Sequence, residues 1–412
     1  MIRQQCPYAL ASTGRDPRAD AELRARGPVA PVLLPGGVHG VAVTDIDLIR
    51  RLSIDPRISK DAYQHWPDWI SGEVDGSWPL SIWVSVRNML TAYGEKHTRL
   101  RKLVAGAFTA RRTAAMQPAV ARITDQLLDR LAALPQGQIV DVRRELALPL
   151  PTLVINELLG LPEERHADLQ RVIGVSFRTS ATPEEAQANQ SELYEILQEL
   201  IAAKRAAPGA DLVSELITAR DDGGVGMSEK ELLDMLLLMV GAGIETTVNL
   251  IEQAIHALIS HPGQLQLVRS GVASWEDVVD ETLRCYGVFA NMPFRFAIEE
   301  IEVDGATIPR GTPILLSFAA ASRDPWRYGD DADEFDLTRS TLREHVAFGH
   351  GVHHCLGRPL ARLEVTTALE ALFARFPQIK LGVPQDELRM QESFISNGHS
   401  ALPVLLGPEV VA

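Results

Sequence analysis

The stretch from Phe348 to Glu364 reads FGHGVHHCLGRPLARLE. Gly349, Gly351 and Gly357 bracket one cysteine, Cys355. Glycine lets a backbone turn tightly and come close to a flat ligand. Leu356 to Glu364 have helix-forming character, and Pro359 is tolerated in a first turn. The pattern predicts Cys355 at a loop-to-helix junction. There the positive end of the helix dipole and free loop N–H groups favour a thiolate.

Ordinary readings compete. A single buried cysteine is usually a small hydrophobe. His353, His354 and Cys355 offer zinc-ligating atoms, but no second Cys/His cluster follows at zinc-site spacing. A lone thiolate in a glycine-rich loop is what a haem iron needs as proximal ligand. FGxGxHxCLG is more restrictive than either alternative, and here the chain resembles the cytochrome P450 family, the haem-thiolate monooxygenases. The resemblance implies a mainly α fold with a small β region, and haem b between a long helix and the cysteine loop. It makes Cys355 the axial iron ligand and sets Phe348, Gly349 and Gly357 beside the haem.

The 412 residues contain no Pro/Gly/Ser-rich linker or charge block, so residues 1–412 read as one haem domain. Its β-rich parts are expected at about 28–60 and 293–320. An apolar content of 46% supports a large core, and a net charge of −14 argues against nucleic-acid binding. Cys6, Cys285 and Cys355 are too few for a disulfide framework, which fits a reducing compartment. MIRQQCPYALASTG lacks a signal-peptide core, and the apolar run Leu232 to Ile244 is too short to span a bilayer. The expectation is a cytoplasmic monomer without membrane contact.

Ser228 and Glu231 have capping-box spacing, and helical character runs from there to His261, where Pro262 stops it. In the middle lie Ala242-Gly243-Ile244-Glu245-Thr246-Thr247. An acid and an alcohol inside an apolar helix need partners. Thr246 can satisfy itself on the Ala242 carbonyl, as mid-helix threonines do. The small Ala242 and Gly243 leave room for something to approach. AGxETT resembles the family's oxygen-binding kink, which implies that Thr246 holds dioxygen and a water chain while Glu245 relays protons. Ala242 and Gly243 then touch the haem, and Ile244 the substrate.

His97 and Arg101 are four apart on a predicted helix and point the same way, which suits an anionic group or a solvated basic face. The resemblance assigns both to the haem propionates, with Arg295 and His353 as further candidates. Lys96, Arg99, Arg101, Lys102, Arg111 and Arg112 face one local acid, Glu95. This is either a solvated face or a surface that steers an acidic partner. The resemblance favours a ferredoxin, itself reduced by a ferredoxin reductase with NAD(P)H.

Glu281 and Arg284 can pair three apart on the predicted helix 275–286. The family's ExxR pair is internal and braces the cysteine loop, with Arg339 as a possible third member. Trp66, Trp69, Trp78 and Trp83 lie among Gly and Pro, either as core anchors or as an apolar roof over a pocket. The pocket candidates are Trp83, Met89, Phe177, Thr179, Met239, Ile244, Val288, Met292, Phe394 and Ile395.

The implied reaction inserts one oxygen atom of dioxygen into a C–H bond. A peroxide-dependent haem-thiolate enzyme and a non-catalytic haem-binding or gas-sensing protein are the alternatives, and retention of Glu245 and Thr246 argues against both. Residues 59–116 resemble actinobacterial members that hydroxylate bulky apolar molecules, so a steroid or polycyclic natural product is expected.

Overall fold

The computed structural model describes residues 6–10, 17–176 and 182–410. Phe177 and Thr179 lie outside them. Helices dominate, with one six-stranded, one three-stranded and one two-stranded sheet among the described residues.

The six-stranded sheet runs in the order Tyr8–Ala9, Val29–Leu34, Val38–Val43, Pro313–Ser317, Asn291–Ala297, Ile58–Ser59. Val29–Leu34 and Val38–Val43 form the expected hairpin, Val29 opposite Val43. Its turn needs glycine: Gly36 and Gly37 both have φ near +80°, and a Cβ on Gly36 would lie 2.8 Å from Trp78. Side chains alternate across the sheet. Val29, Val41 and Val43 pack on the helix Ile46–Ile54, and Ala30, Val32 and Leu34 pack on the opposite face with Trp66 and Trp78. The register shifts between Met292 and Arg295, where Pro293 interrupts the ladder. Such a bulge re-aims the side chains after it.

The three-stranded sheet, Lys380–Leu381, Pro403–Leu405 and Ile139–Asp141, adds strands to the β-rich parts expected from the sequence. Strands of two or three residues carry too little alternation to be read from sequence.

The long helix spans Glu229–Ser260, with Ser228 and Glu231 forming the capping box and His261 ending it. It is long and apolar enough to cross a membrane, but most of it is buried in the largest apolar cluster. Asp234, which interrupts the apolar run, is fully buried. It accepts from Arg87 N at 2.7 Å and Tyr194 Oη at 2.6 Å, and pairs with Lys230 at 3.1 Å. One carboxylate thus ties the segment before the basic helix Gly94–Ala105, and the helix Pro183–Ala206, to the long helix.

Candidate functional site

The cysteine loop is built by close packing. Gly349 and Gly351 have φ of +74° and +69°, and a Cβ on Gly351 would stand 2.8 Å from the Ser53 carbonyl. Cys355 N donates to the Phe348 carbonyl at 2.8 Å, and the helix Arg358–Arg375 starts three residues on. Cys355 is exposed although protein atoms surround it closely. Burial pushes its thiol pKa up, and the Gly357 and Arg358 N–H groups and the Arg101 guanidinium offset only part of that. Burial thus opposes the charge that the helix end and the loop N–H groups favour.

Beside the cysteine stands a cluster of cations and donors. The His97 and His353 rings meet at a tilt, with centroids 4.2 Å apart. Arg101 Nη2 donates to the His354 carbonyl at 2.5 Å. Arg295 and Lys60 are buried. His97 Nε2 and Arg295 Nη1 are buried without a hydrogen-bond partner. Burial, with Arg101 and Lys60 nearby, lowers His97 to about 4. Burial and Lys60 hold His353 well below the usual imidazole range. Burial lowers Arg295 to about 10. Unsatisfied buried donors of one sign are costly unless an anion meets them. The cluster and the Cys355 sulfur together fit a flat metal-bearing ligand with carboxylate arms, which is what haem is. Lys60 is not legible in the sequence, since a single lysine in RISKDAY carries no pattern.

On the long helix, Ala242 is exposed and Thr246 half-buried, while Ile244 and Glu245 are buried. The open side of the helix is therefore the Ala242–Thr246 face. Thr246 Oγ1 donates to the Ala242 carbonyl at 2.6 Å. A Cβ on Gly243 would lie 2.7 Å from Ile155 Cδ1, so this glycine owes its missing side chain to a neighbouring helix. Glu245 opens a polar seam, Glu245, Asn249, Glu252 and His256, at helical spacing and entirely buried. Glu245 Oε1 accepts from Arg143 at 3.2 Å, Asn249 at 3.2 Å and Gln391 at 3.0 Å. Glu252 Oε1 meets His399 Nδ1 at 2.6 Å. Arg143 sits in a π-helical turn, Arg143–Ala147. Neither it nor Gln391 is readable beforehand, because both are remote in sequence.

Arg284 and Glu281 form two parallel bonds of 2.7 Å, both side chains fully shielded. Arg284 also donates to the carbonyls of Ser322, Ala332 and Glu334. Arg339 Nε lies 3.7 Å from Glu281 Oε1, and its Nη1 donates to the Tyr328 carbonyl at 2.6 Å. The segment before the cysteine loop is thus hung on one buried pair. A second tie was not foreseen: Arg362 grips Asp280 with bonds of 2.6 and 2.9 Å, joining the helix Trp275–Tyr286 to the cysteine helix.

The tryptophans are chiefly core. Trp66 and Trp78 are buried, and Trp69 stacks on Trp66. Trp83 is half-buried against Phe289. Met89 and Met292 are half-buried too. Met239, Val288, Phe394 and Ile395 are buried. Ile244 is fully buried and lies off the open helix face.

Half of the basic stretch is neutralised. Arg99 pairs with Glu231, Lys102 with Asp222 and Arg112 with Glu215, each at 2.5 Å. Lys96 and Arg111 form no ion pair among the described residues. The local excess of Lys and Arg therefore overstates the charge this surface presents.

Comparison with known proteins gives one answer. Residues 178–397 match the family model described as Cytochrome P450. The chain is 41% identical to the 2-hydroxy-5-methyl-1-naphthoate 7-hydroxylase of Streptomyces carzinostaticus over 402 residues, 97% of this chain and 98% of the relative. The solved structure of CYP154A1 from Streptomyces coelicolor A3(2) superposes with a TM-score of 0.91 at 52% identity, covering 97% of this chain and 100% of the other. Testosterone-bound CYP154C4 from Streptomyces sp. ATCC 11861 superposes with a TM-score of 0.94 at 42% identity, covering 99% and 100%.

Proposed function

The chain belongs to the cytochrome P450 family and is a monooxygenase, and we propose that it hydroxylates a C–H bond of a rigid polycyclic hydrophobic molecule, a steroid or polycyclic natural product. One observation carries the site assignment: an accessible Cys355 stands beside a cluster of cationic and donor groups. The family implies haem. Bound here through Cys355, haem would supply iron-centred activation of dioxygen, strengthened by the electron-rich thiolate. Coordination deprotonates a thiol outright, which resolves the upward push of burial on Cys355. His97, Arg101, Arg295 and His353 would hold the propionates.

The remaining roles fall to side chains. Thr246 spends its hydroxyl hydrogen on Ala242, so its oxygen lone pairs face the open side of the helix as acceptors. Glu245, whose charge Arg143 balances, would relay protons, its carboxylate taking up each proton before passing it on. Glu281, Arg284 and Arg339 hold the cysteine loop in place without touching the reaction.

The substrate reading is supported by two relatives, a naphthoate hydroxylase and a testosterone-bound structure, together with the half-buried apolar residues Trp83, Met89 and Met292. We read the whole chain as one haem domain. It would act in the cytoplasm, with ferredoxin and ferredoxin reductase supplying electrons. Turnover of a steroid and polycyclic-arene panel with ferredoxin, reductase and NADPH tests this. The expected result is a hydroxylated product that depends on all three. Product formation with peroxide alone, at an equal rate, would contradict it.

A further inference from the structure

Lys60 follows directly on the two-residue edge strand Ile58–Ser59 and is 5% exposed. Its Nζ donates to the Pro293 carbonyl at 3.0 Å, at the bulge that precedes Arg295. An ammonium has three N–H groups. The Pro293 carbonyl is the one acceptor it meets among the described residues, and no carboxylate pairs with it there. Its charged neighbours all have the same sign or can acquire it: Arg295 beside it, with His353 and His97 within electrostatic reach. A buried ammonium among cations is strongly disfavoured unless an anion joins it. Asp61, next in sequence, turns to Gln64 at 2.7 Å instead.

We propose that Lys60 is a fifth propionate-binding group, a positioning residue that fixes one carboxylate of the haem from the sheet side. This rests on the haem reading above. The bulge explains how the sheet reaches the ligand. The register shift frees the Pro293 carbonyl to anchor Nζ, and Arg295 follows two residues on in the same strand. Arg101 and His97 come from the helix Gly94–Ala105, and His353 from the cysteine loop. Lys60 and Arg295 come to the same cluster from the sheet. The ligand class is a carboxylate held by charge-assisted hydrogen bonds.

The test uses the ferric holoenzyme and two variants. Lys60→Gln keeps a donor for the Pro293 carbonyl and removes the charge. Lys60→Met removes both and keeps the length. Haem transfer to excess apomyoglobin and the iron reduction potential are measured for each. Loss of one charge-assisted bond should speed haem transfer about ten- to a hundredfold in both variants. The potential should fall, because the uncompensated propionate charge favours the ferric state. A Lys60→Gln protein with wild-type haem loss and wild-type potential would overturn the proposal, whether or not Lys60→Met is affected, and leave Lys60 as a tie to Pro293. A wild-type chain that takes up no haem at all sinks the haem reading itself, before any variant is compared.

Discussion

Arg284 and Glu281 face each other through two parallel hydrogen bonds of 2.7 Å, with no solvent access to either side chain. Removing one member of such a pair strands the other in the core, at a cost of about 3–5 kcal/mol. Arg284 has a second task, since three backbone carbonyls before the cysteine loop lean on it. Arg284→Ala should therefore lose haem as well as stability. The haem-to-protein ratio of purified variant and the urea midpoint check this. A fully haem-loaded Arg284→Ala protein would show that the brace is dispensable.

Thr246→Ala removes the side-chain donor to the Ala242 carbonyl and an acceptor from the open helix face. Haem content should stay at wild-type level. Reducing equivalents should be diverted from product into peroxide, at least several-fold. Parallel assays of NADPH consumed, peroxide formed and product formed read this out. Tightly coupled product formation in the variant contradicts the role given to Thr246.

Arg143→Met tests the buried partner of Glu245. The substitution keeps volume and removes the cation 3.2 Å from Glu245 Oε1. Breaking a buried pair destabilises the chain by a few kcal/mol, on the order of 3. Substrate-induced spectral shifts should survive, because Arg143 lies on the closed side of the helix. Coupling efficiency should drop about tenfold if Glu245 supplies protons from this network. Unchanged coupling would make Glu245 a structural residue.

His256 gives a pH signature. Burial first, then His399 and His261, lower it to about 4, against the opposing pull of Glu252. Both ring nitrogens are buried without partners. Between pH 6.5 and about 4 the unfolded chain binds a proton that the folded chain refuses. Stability is therefore lost as pH falls through that window, by up to about 3 kcal/mol for this one group. His256→Phe should flatten the slope of the urea midpoint between about pH 7 and 5. An unaltered slope would show that His256 does not titrate as its burial demands.

Local signals carried much of this fold. Ser228 and Glu231 placed the start of the long helix, Pro262 its end, and Gly287 the end of the helix bearing Arg284. The glycines around Cys355 announced a loop that the structure packs against Ser53. What sequence could not reveal was pairing at a distance. Arg143 reaches Glu245 across 102 positions, and Arg99, Lys102 and Arg112 find acids on other elements. Composition suggested a basic surface there, whereas the pairs cancel half of those cations. Trp66 and Trp78 show the same limit, because aromatic content does not say whether a ring faces a core or a cleft.

Every role assigned above depends on the Cys355 sulfur ligating haem iron. The reduced carbon monoxide difference spectrum addresses that bond most directly. The expected result is the red-shifted Soret band from which the family takes its name, and its loss in Cys355→Ala. A wild-type band at the position of nitrogen-ligated haem, or a band unchanged by Cys355→Ala, would contradict it.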